Sequence, residues 1–272
     1  MEMIKAELLG CSQSGNAAGS LEKMSFSIEK GALAVFLGNS DSGKSLLAMH
    51  LNALISPQSG SLFVNGLNCA AAENVWEIRK CCGLVQEDFD SSFISTYAAE
   101  ELAFGPRNFG VSEDDIPGKI ASALKLTDML GYENSCPQLL SAAKRQRLAI
   151  AAVLAADPDI LVLDNPFAAL EGKEAEEFVG MIREINAAGK TVVLMTDDPE
   201  RACIADILFL LERGRIIAQG DPREILSDKY LMENAGLRLP FTAKIYDELL
   251  EAGVKLEKCP LTMEELVEEV CR

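Results

Sequence analysis

Between positions 38 and 45 the chain reads Gly38-Asn39-Ser40-Asp41-Ser42-Gly43-Lys44-Ser45, with an apolar run before it and helix formers from Leu46 onward. This is the G-x-x-x-x-G-K-S spacing, and each residue type has a task in it. The glycines let successive backbone N–H groups turn toward phosphate oxygens, and the start of the following helix adds partial positive charge. Lys44 can reach the β- and γ-phosphates, and the Ser45 hydroxyl can ligate Mg2+, so the chemistry expected is capture of a polyphosphate with its cation. Asp41 fits less well, because a carboxylate about 8 Å from a phosphate charge is repelled by roughly 2 kcal/mol at an effective dielectric of about 20. Two readings of Asp41 stay open: a weakened polyphosphate site, or a residue placed there because Asp tolerates a left-handed backbone.

A second carboxylate comes from far along the chain. Ile160-Leu161-Val162-Leu163 is an apolar strand that delivers Asp164, as the second metal-holding element of a P-loop NTPase does. The elements that must position these residues read as an α/β chain. Leu33 to Leu37, Thr191 to Met195 and Ile207 to Leu211 are short apolar runs suited to buried parallel strands, and Ser61 to Gly66 alternates before a turn. Residues from Gln86 to about Ala156 turn helical, with a break expected at Gly105-Pro106, an acidic stretch at Ser112 to Asp115 and an alanine-rich helix at Ala149 to Ala156. Helices are also expected at Ala175 to Asn186, at Lys244 to Leu250, and at Met263 to Val270 behind a Thr262 cap. The fold class expected is a mostly parallel, doubly wound P-loop core with a helical insert at about 87–156 and a small helical appendage at 221–272, beyond a domain at 1–220.

Composition narrows the function. The chain has 272 residues and 49% hydrophobic residues, enough for a sizeable core, and a net charge of −17, which argues against a nucleic-acid groove and reads as a solvated surface. No run approaches the roughly 20 apolar residues that cross a bilayer, and Met1-Glu2-Met3-Ile4-Lys5 lacks a signal pattern, so a cytoplasmic location is expected. The eight cysteines include no C-x-x-C pair and the chain has one histidine, so a zinc site is not expected. Cys81-Cys82 lead into an apolar stretch where a reduced thiol packs well.

Upstream of Asp164 lies Leu139-Leu140-Ser141-Ala142-Ala143-Lys144-Arg145-Gln146-Arg147-Leu148-Ala149-Ile150-Ala151. This segment resembles the signature helix L-S-G-G-Q-x-Q-R-x-A-I-A of ATP-binding-cassette (ABC) ATPases. Gln86 stands at the Q-loop position and Ala168-Ala169-Leu170-Glu171 at the D-loop position, so the resemblance spans about residues 20 to 220. Phe104-Gly105-Pro106-Arg107-Asn108-Phe109-Gly110 is similar to the A-F-G-P-x-N-x-G stretch of energy-coupling-factor (ECF) A components. The tail segments Gly220 to Leu226, Leu237 to Pro240 and Leu261 to Val267 are similar to the tail of those components. The resemblance implies ATP with Mg2+ bound by residues 38 to 46 and Gln86, with Ser45, Gln86 and Asp164 toward the metal. It implies a partner's ATP facing Ser141, Ala142, Ala143 and Lys144. It also implies a peripheral place on the cytoplasmic side of the membrane, beside a membrane T component whose coupling helices dock near the Q-loop, and a substrate-capturing S component for a vitamin or metal ion.

The chain departs from that pattern at the catalytic positions. Asn165 stands where the family has its general-base glutamate, a loss worth typically about 10²- to 10⁴-fold. Asp197 stands where it has a γ-phosphate-contacting histidine. His50 lies in the helix after the phosphate loop and is read as structural. Ala142 and Ala143 replace signature glycines, each adding a Cβ where backbone should approach a phosphate. Lys144 replaces glutamine and reads either as a charge toward phosphate or as a solvated helix residue. The aromatic that stacks on adenine is replaced by Cys11-Ser12-Gln13-Ser14-Gly15-Asn16. Arg107 and Arg145 read as surface or interface residues. These departures imply a heterodimer with a more complete ATPase subunit, in which the site at this chain's own loop binds Mg-ATP but turns it over poorly. The alternatives are a regulatory ATP-binding module, a structural partner of a competent ATPase, or a self-sufficient ATPase in which Asp198 or Glu200 acts on water.

Overall fold

The structure is a computed structural model and describes residues 1–12, 20–168, 170, 172–254 and 256–271. Six strands form the central sheet. Four are parallel to their neighbours and bring the phosphate loop and Asp164 to one edge: β3 (Leu33–Gly38), β7 (Ile160–Asp164), β8 (Thr191–Thr196) and β6 (Cys82–Val85). With β9 (Ile207–Glu212) and β10 (Arg215–Gly220) the order is β10-β9-β3-β8-β7-β6, and only the β9/β10 edge is antiparallel.

Period-two alternation along these strands splits the interior into two cores. Val35, Leu37, Leu161, Leu163 and Leu194 point one way, toward α5 (Ala142–Ala155) and α6 (Gly172–Ala187). Ala34, Phe36, Val162, Val193 and Met195 point the other way, toward α1 (Lys44–Leu51). Both faces are covered, so the strands read as continuous apolar runs rather than alternating ones. On the second face Phe36 stacks on Phe209 with ring centroids 4.6 Å apart, and Phe26 meets Phe36 edge-on at 5.2 Å.

Phe26 belongs to an element that the sequence patterns did not resolve. β1 (Glu2–Ser12), β2 (Ser20–Glu29), β4 (Ser59–Val64) and β5 (Leu67–Asn68) form a separate antiparallel sheet in the order β2-β1-β4-β5. Register shifts in β1 interrupt its alternation, and half-buried antiparallel strands carry a weaker signal than apolar runs. β4 also begins at Ser59, two residues before the expected run.

α2 (Val75–Cys81) leads into β6, then α3 (Ala98–Asn108), α4 (Ile116–Leu126) and α5 pack together as the helical region. The expected break at Gly105-Pro106 is not there: α3 runs through Pro106, which is buried. The helix ends two residues later, so the proline removes a single bond to Leu102 near a C-terminus. The turn after it is closed by Phe109 N donating to Gly105 O and Val111 N to Pro106 O. After the short α7 (Pro199–Ala202) and β9/β10, the chain continues as α8 (Pro222–Ser227), α9 (Lys229–Asn234), α10 (Phe241–Glu251) and α11 (Met263–Val270). Thr262 caps α11 by accepting from Glu265 N at 3.2 Å. No described helix is long and apolar enough to cross a membrane. All eight cysteines are free; Cys82 is fully buried and its thiol is pushed up by desolvation.

Candidate functional site

The site forms where β3 hands over to α1. Gly38 closes the strand, and a Cβ there would stand 2.5 Å from Ser42 Oγ and 2.7 Å from Leu211 O, so only glycine lets the loop turn back. Gly43 has φ +94° and precedes the first helical residue, a left-handed position that suits glycine. Between them the loop is laced by Ser42: its N–H and Oγ donate to Asn39 O at 3.1 and 2.7 Å.

Lys44 is buried under this loop. Its Nζ donates to Gly38 O and Asn39 O, both at 2.7 Å, and to Ser42 Oγ at 3.3 Å. Burial lowers its pKa, and the negative charges of Asp197, Asp164, Glu87 and Asp41 oppose that drop. A polyphosphate would meet a cation already oriented along the loop axis, with Leu46 buried behind it. Asp41 and Ser45 are exposed. Asp41 is not among the left-handed residues, so backbone tolerance does not account for it. Its carboxylate remains as a charge near Lys44.

Asp164 ends β7 within reach of the loop. Desolvation raises its pKa and the Ser45 hydroxyl hydrogen bond lowers it; the Glu87 charge raises it again and Lys44 opposes. Its Oδ1 is buried with no partner. A buried carboxylate oxygen without a donor, beside a serine hydroxyl, suits a hard, oxygen-seeking cation such as Mg2+. Gln86 is exposed directly after β6, whose Val85 pairs with Leu163, so Gln86 leaves the sheet beside Asp164.

The departures occupy the same edge. Asn165 takes φ +47°, which Asn tolerates better than most residues, and its N–H donates to Met195 O at 2.9 Å. Its Nδ2 donates to Glu87 Oε1 at 2.7 Å. Glu87 is a site residue that the sequence motifs did not point to. Asp197 is exposed just after β8, and its charge is the leading electrostatic influence on Lys44.

The two acids considered as compensators are engaged elsewhere. Asp198 caps α7 by accepting from Glu200 N at 3.0 Å and faces Arg201 at 3.4 Å, while Glu200 Oε1 accepts from Phe241 N. His50 is fully buried in α1, with Nδ1 against Leu46 O at 2.7 Å and its pKa lowered by desolvation. Its place is in the core under the loop.

Ser141, Ala142, Ala143 and Lys144 are not brought to the phosphate loop. Ser141, Ala143 and Lys144 line a separate cleft with Asp128, Tyr132 and Glu177. Ser141 caps α5 by accepting from Lys144 N at 3.4 Å, which puts Ala142 and Ala143 in the first helical turn. Lys144 is not a freely solvated residue: it is half-buried, Nζ donates to Tyr132 Oη at 2.5 Å, and the ammonium lies 4.6 Å from the Tyr132 ring centroid. Arg145 clamps Asp90 with two bonds of 2.7 and 3.0 Å, and Arg107 clamps Glu113 at 2.9 and 3.1 Å. Ala169 and Glu171 of the D-loop segment, and Gln13 to Asn16 near the N-terminus, lie outside the described residues.

Comparison with known proteins gives the family. Residues 21–168 match the ABC transporter family. The chain is 37% identical over 253 residues to the energy-coupling factor transporter ATP-binding protein EcfA1 of Clostridium novyi, covering 93% of this chain and 90% of that one. It is 34% identical over 252 residues to the EcfA protein of Methanothermobacter thermautotrophicus, covering 92% and 81%. Among solved structures, cbiO1 of Clostridium perfringens, described as part of the ABC transporter complex cbiONQ, superposes with a TM-score of 0.77. It is 27% identical, and the match covers 90% of this chain and 99% of that one.

Proposed function

Since the chain belongs to the ABC transporter family, among the energy-coupling-factor ATP-binding proteins, we propose that it is the ATP-binding subunit of an ECF-type importer that couples Mg-ATP binding to uptake by membrane partners. The observation that carries this reading is the meeting of Lys44, Ser45 and Asp164 at the N-terminus of α1, with Asp164 Oδ1 buried and unpartnered. Residues 38 to 46 hold the phosphates, and Ser45, Gln86 and Asp164 hold Mg2+. When bound, the cation neutralises charge on the terminal phosphates.

Residues 1–220 act as the nucleotide-binding domain, with the helical insert at about 87–156, and 221–272 as the appendage. Between the insert and the segments that carry Leu54 and Arg79 runs a groove of about 350 Å³, lined by those two residues with Phe104, Gly105 and Phe109. Three of those residues come from the ECF-like stretch, and Phe104 is 51% exposed. This groove is where a membrane T component would seat, placing the chain on the cytoplasmic side of the membrane. An S component would capture the vitamin or metal ion.

Turnover is attenuated rather than brisk. Asn165 cannot accept a proton, Asp197 places a negative charge where a donor would help, and Ala142 and Ala143 crowd the partner's nucleotide. With a different second subunit, Asn165 and Asp197 fall on the composite site at this chain's own loop and Ala142 and Ala143 on the other, so a heterodimer with a more complete ATPase subunit is the assembly proposed. The test is calorimetry of Mg-ATP binding to the purified chain with Lys44→Ala as control, alongside copurification from its native membrane. Binding that Lys44→Ala abolishes, and recovery of a second ATPase subunit, are expected. No binding at millimolar Mg-ATP would make the chain a structural partner, and a stable homodimer with brisk turnover would overturn the heterodimer.

A further inference from the structure

The position held by Asn165 lacks a carboxylate of its own, yet a carboxylate stands beside it. Glu87 Oε1 accepts from Asn165 Nδ2 at 2.7 Å across 78 residues of sequence. The sheet register accounts for the encounter. β6 and β7 are parallel with Val85 opposite Leu163, so Gln86 and Glu87 leave the sheet alongside Asp164 and Asn165. One strand thus ends in an amide followed by a carboxylate, and its neighbour in a carboxylate followed by an amide.

Glu87 is also within electrostatic reach of the reacting region. Its charge acts on Lys44 and on Asp164, the two groups that would flank the terminal phosphate and its cation. The side chain is exposed, so water can approach it. The backbone of Asn165 is held by its N–H bond to Met195 O, and its side-chain amide donates to the Glu87 carboxylate.

We propose that Glu87 is the general base for ATP hydrolysis at this chain's own phosphate loop and that Asn165 is its positioning residue. The inference rests on the reading of the chain as an ATP-binding subunit. In the step, a water oxygen bonds to the γ-phosphorus while the bond from that phosphorus to the β,γ-bridging oxygen breaks, and ADP leaves with the electron pair. Glu87 Oε2 takes the water proton and later returns it to phosphate or solvent; Oε1 stays with Asn165. Lys44, Asp41, Asp164 and Asp197 are the other charges around this region. Of these, Asp164 and Lys44 belong to cation and phosphate binding, which leaves Asp41 and Asp197 as the competing acids.

The test is single-turnover phosphate release from γ-labelled Mg-ATP by an excess of the full chain in complex with its second ATPase subunit, with Lys44→Ala in this chain as background. Glu87→Gln should slow release by about 10²-fold or more and keep ATP affinity within about threefold by calorimetry, a split that a merely structural role would not produce. The exchanged pair Glu87→Gln with Asn165→Glu returns the carboxylate to the neighbouring strand end and should restore about a tenth or more of the parent rate. Thermal unfolding of each variant verifies that it is folded. Release by Glu87→Gln at the parent rate, failure of the exchanged pair to recover, or an equal slowing in Asp41→Asn or Asp197→Asn instead, would each overturn the assignment. So would a parent that binds Mg-ATP but releases no more phosphate than Lys44→Ala. A chain that binds no Mg-ATP fails the proposed function itself, and this inference with it.

Discussion

Arg223 and Glu265, at the start of α8 and in α11, face each other fork to fork with bonds of 2.6 and 2.7 Å. Arg223 Nη1 also donates to Cys259 O at 2.8 Å, and Glu265 Oε2 accepts from Leu261 N at 2.9 Å. The last helix is therefore tied to the first helix after the sheet by one charged node rather than by a deep core.

That node gives the appendage a pH dependence. The Arg223 guanidinium holds the Glu265 carboxyl down to about 2 from 4.5. A depressed carboxyl stabilises the fold above its unfolded value, and that stability is lost as pH falls from about 4.5 toward about 2. Arg223→Ala should remove about 2 kcal/mol and most of this acid sensitivity. Hydrogen exchange across 256–271 as a function of pH measures both effects.

Asp164 behaves with the opposite sign. Its pKa is raised by burial, so its ionised form opposes folding, and its contribution improves as pH falls through the folded value. Asp164→Asn should raise the melting temperature of the nucleotide-free chain by ~2 °C, or about 1 kcal/mol, while weakening Mg2+-dependent ATP binding. A melting temperature that falls in Mg2+-free buffer contradicts the account of Oδ1 as a site held ready for a cation.

How far the site could be read in advance depended on which interactions fix it. The phosphate loop was legible because strand, glycines and helix are consecutive, and Asp164 was legible as a carboxylate ending an apolar strand. Glu87 was not: its meeting with Asn165 follows from the pairing of β6 with β7, which no local pattern encodes. The antiparallel sheet was hidden for a similar reason, since β1 pairs with β4 across about fifty residues and its own alternation is broken by register shifts. Pro106 misled because the cost of proline depends on how much helix follows it. Lys144 reads in the sequence as either a phosphate-facing charge or a solvated residue, and neither reading contains its packing against Tyr132, twelve positions upstream.

The signature alanines should trade stability for turnover. Ala142 and Ala143 sit in the first turn of α5, where glycine costs about 1–2 kcal/mol for the pair. Ala142→Gly with Ala143→Gly should lower the melting temperature slightly and raise phosphate release by the heterodimer, read at the site whose phosphate loop belongs to the second subunit. Unchanged release in the folded variant would show that the added methyl groups do not obstruct that nucleotide.

The docking role proposed for the groove can be separated from nucleotide binding at Phe104. It lies in α3 on the exposed rim of the groove, far along the chain from the phosphate loop. Phe104→Ala should reduce copurification of the membrane component by about tenfold while leaving Mg-ATP affinity unaltered, in line with the loss of one aromatic anchor worth about 1.4 kcal/mol or more. Retained copurification would place the membrane contact elsewhere.

The ammonium of Lys44 already has three internal partners, Gly38 O, Asn39 O and Ser42 Oγ. Nucleotide capture is therefore an exchange and not an addition: each phosphate oxygen that Lys44 gains is offset by a loop carbonyl it releases. A capture step limited by that exchange is expected to make the observed association rate level off at high ATP concentration, and stopped-flow binding measures it; a rate that rises linearly with ATP would show that the exchange is not limiting.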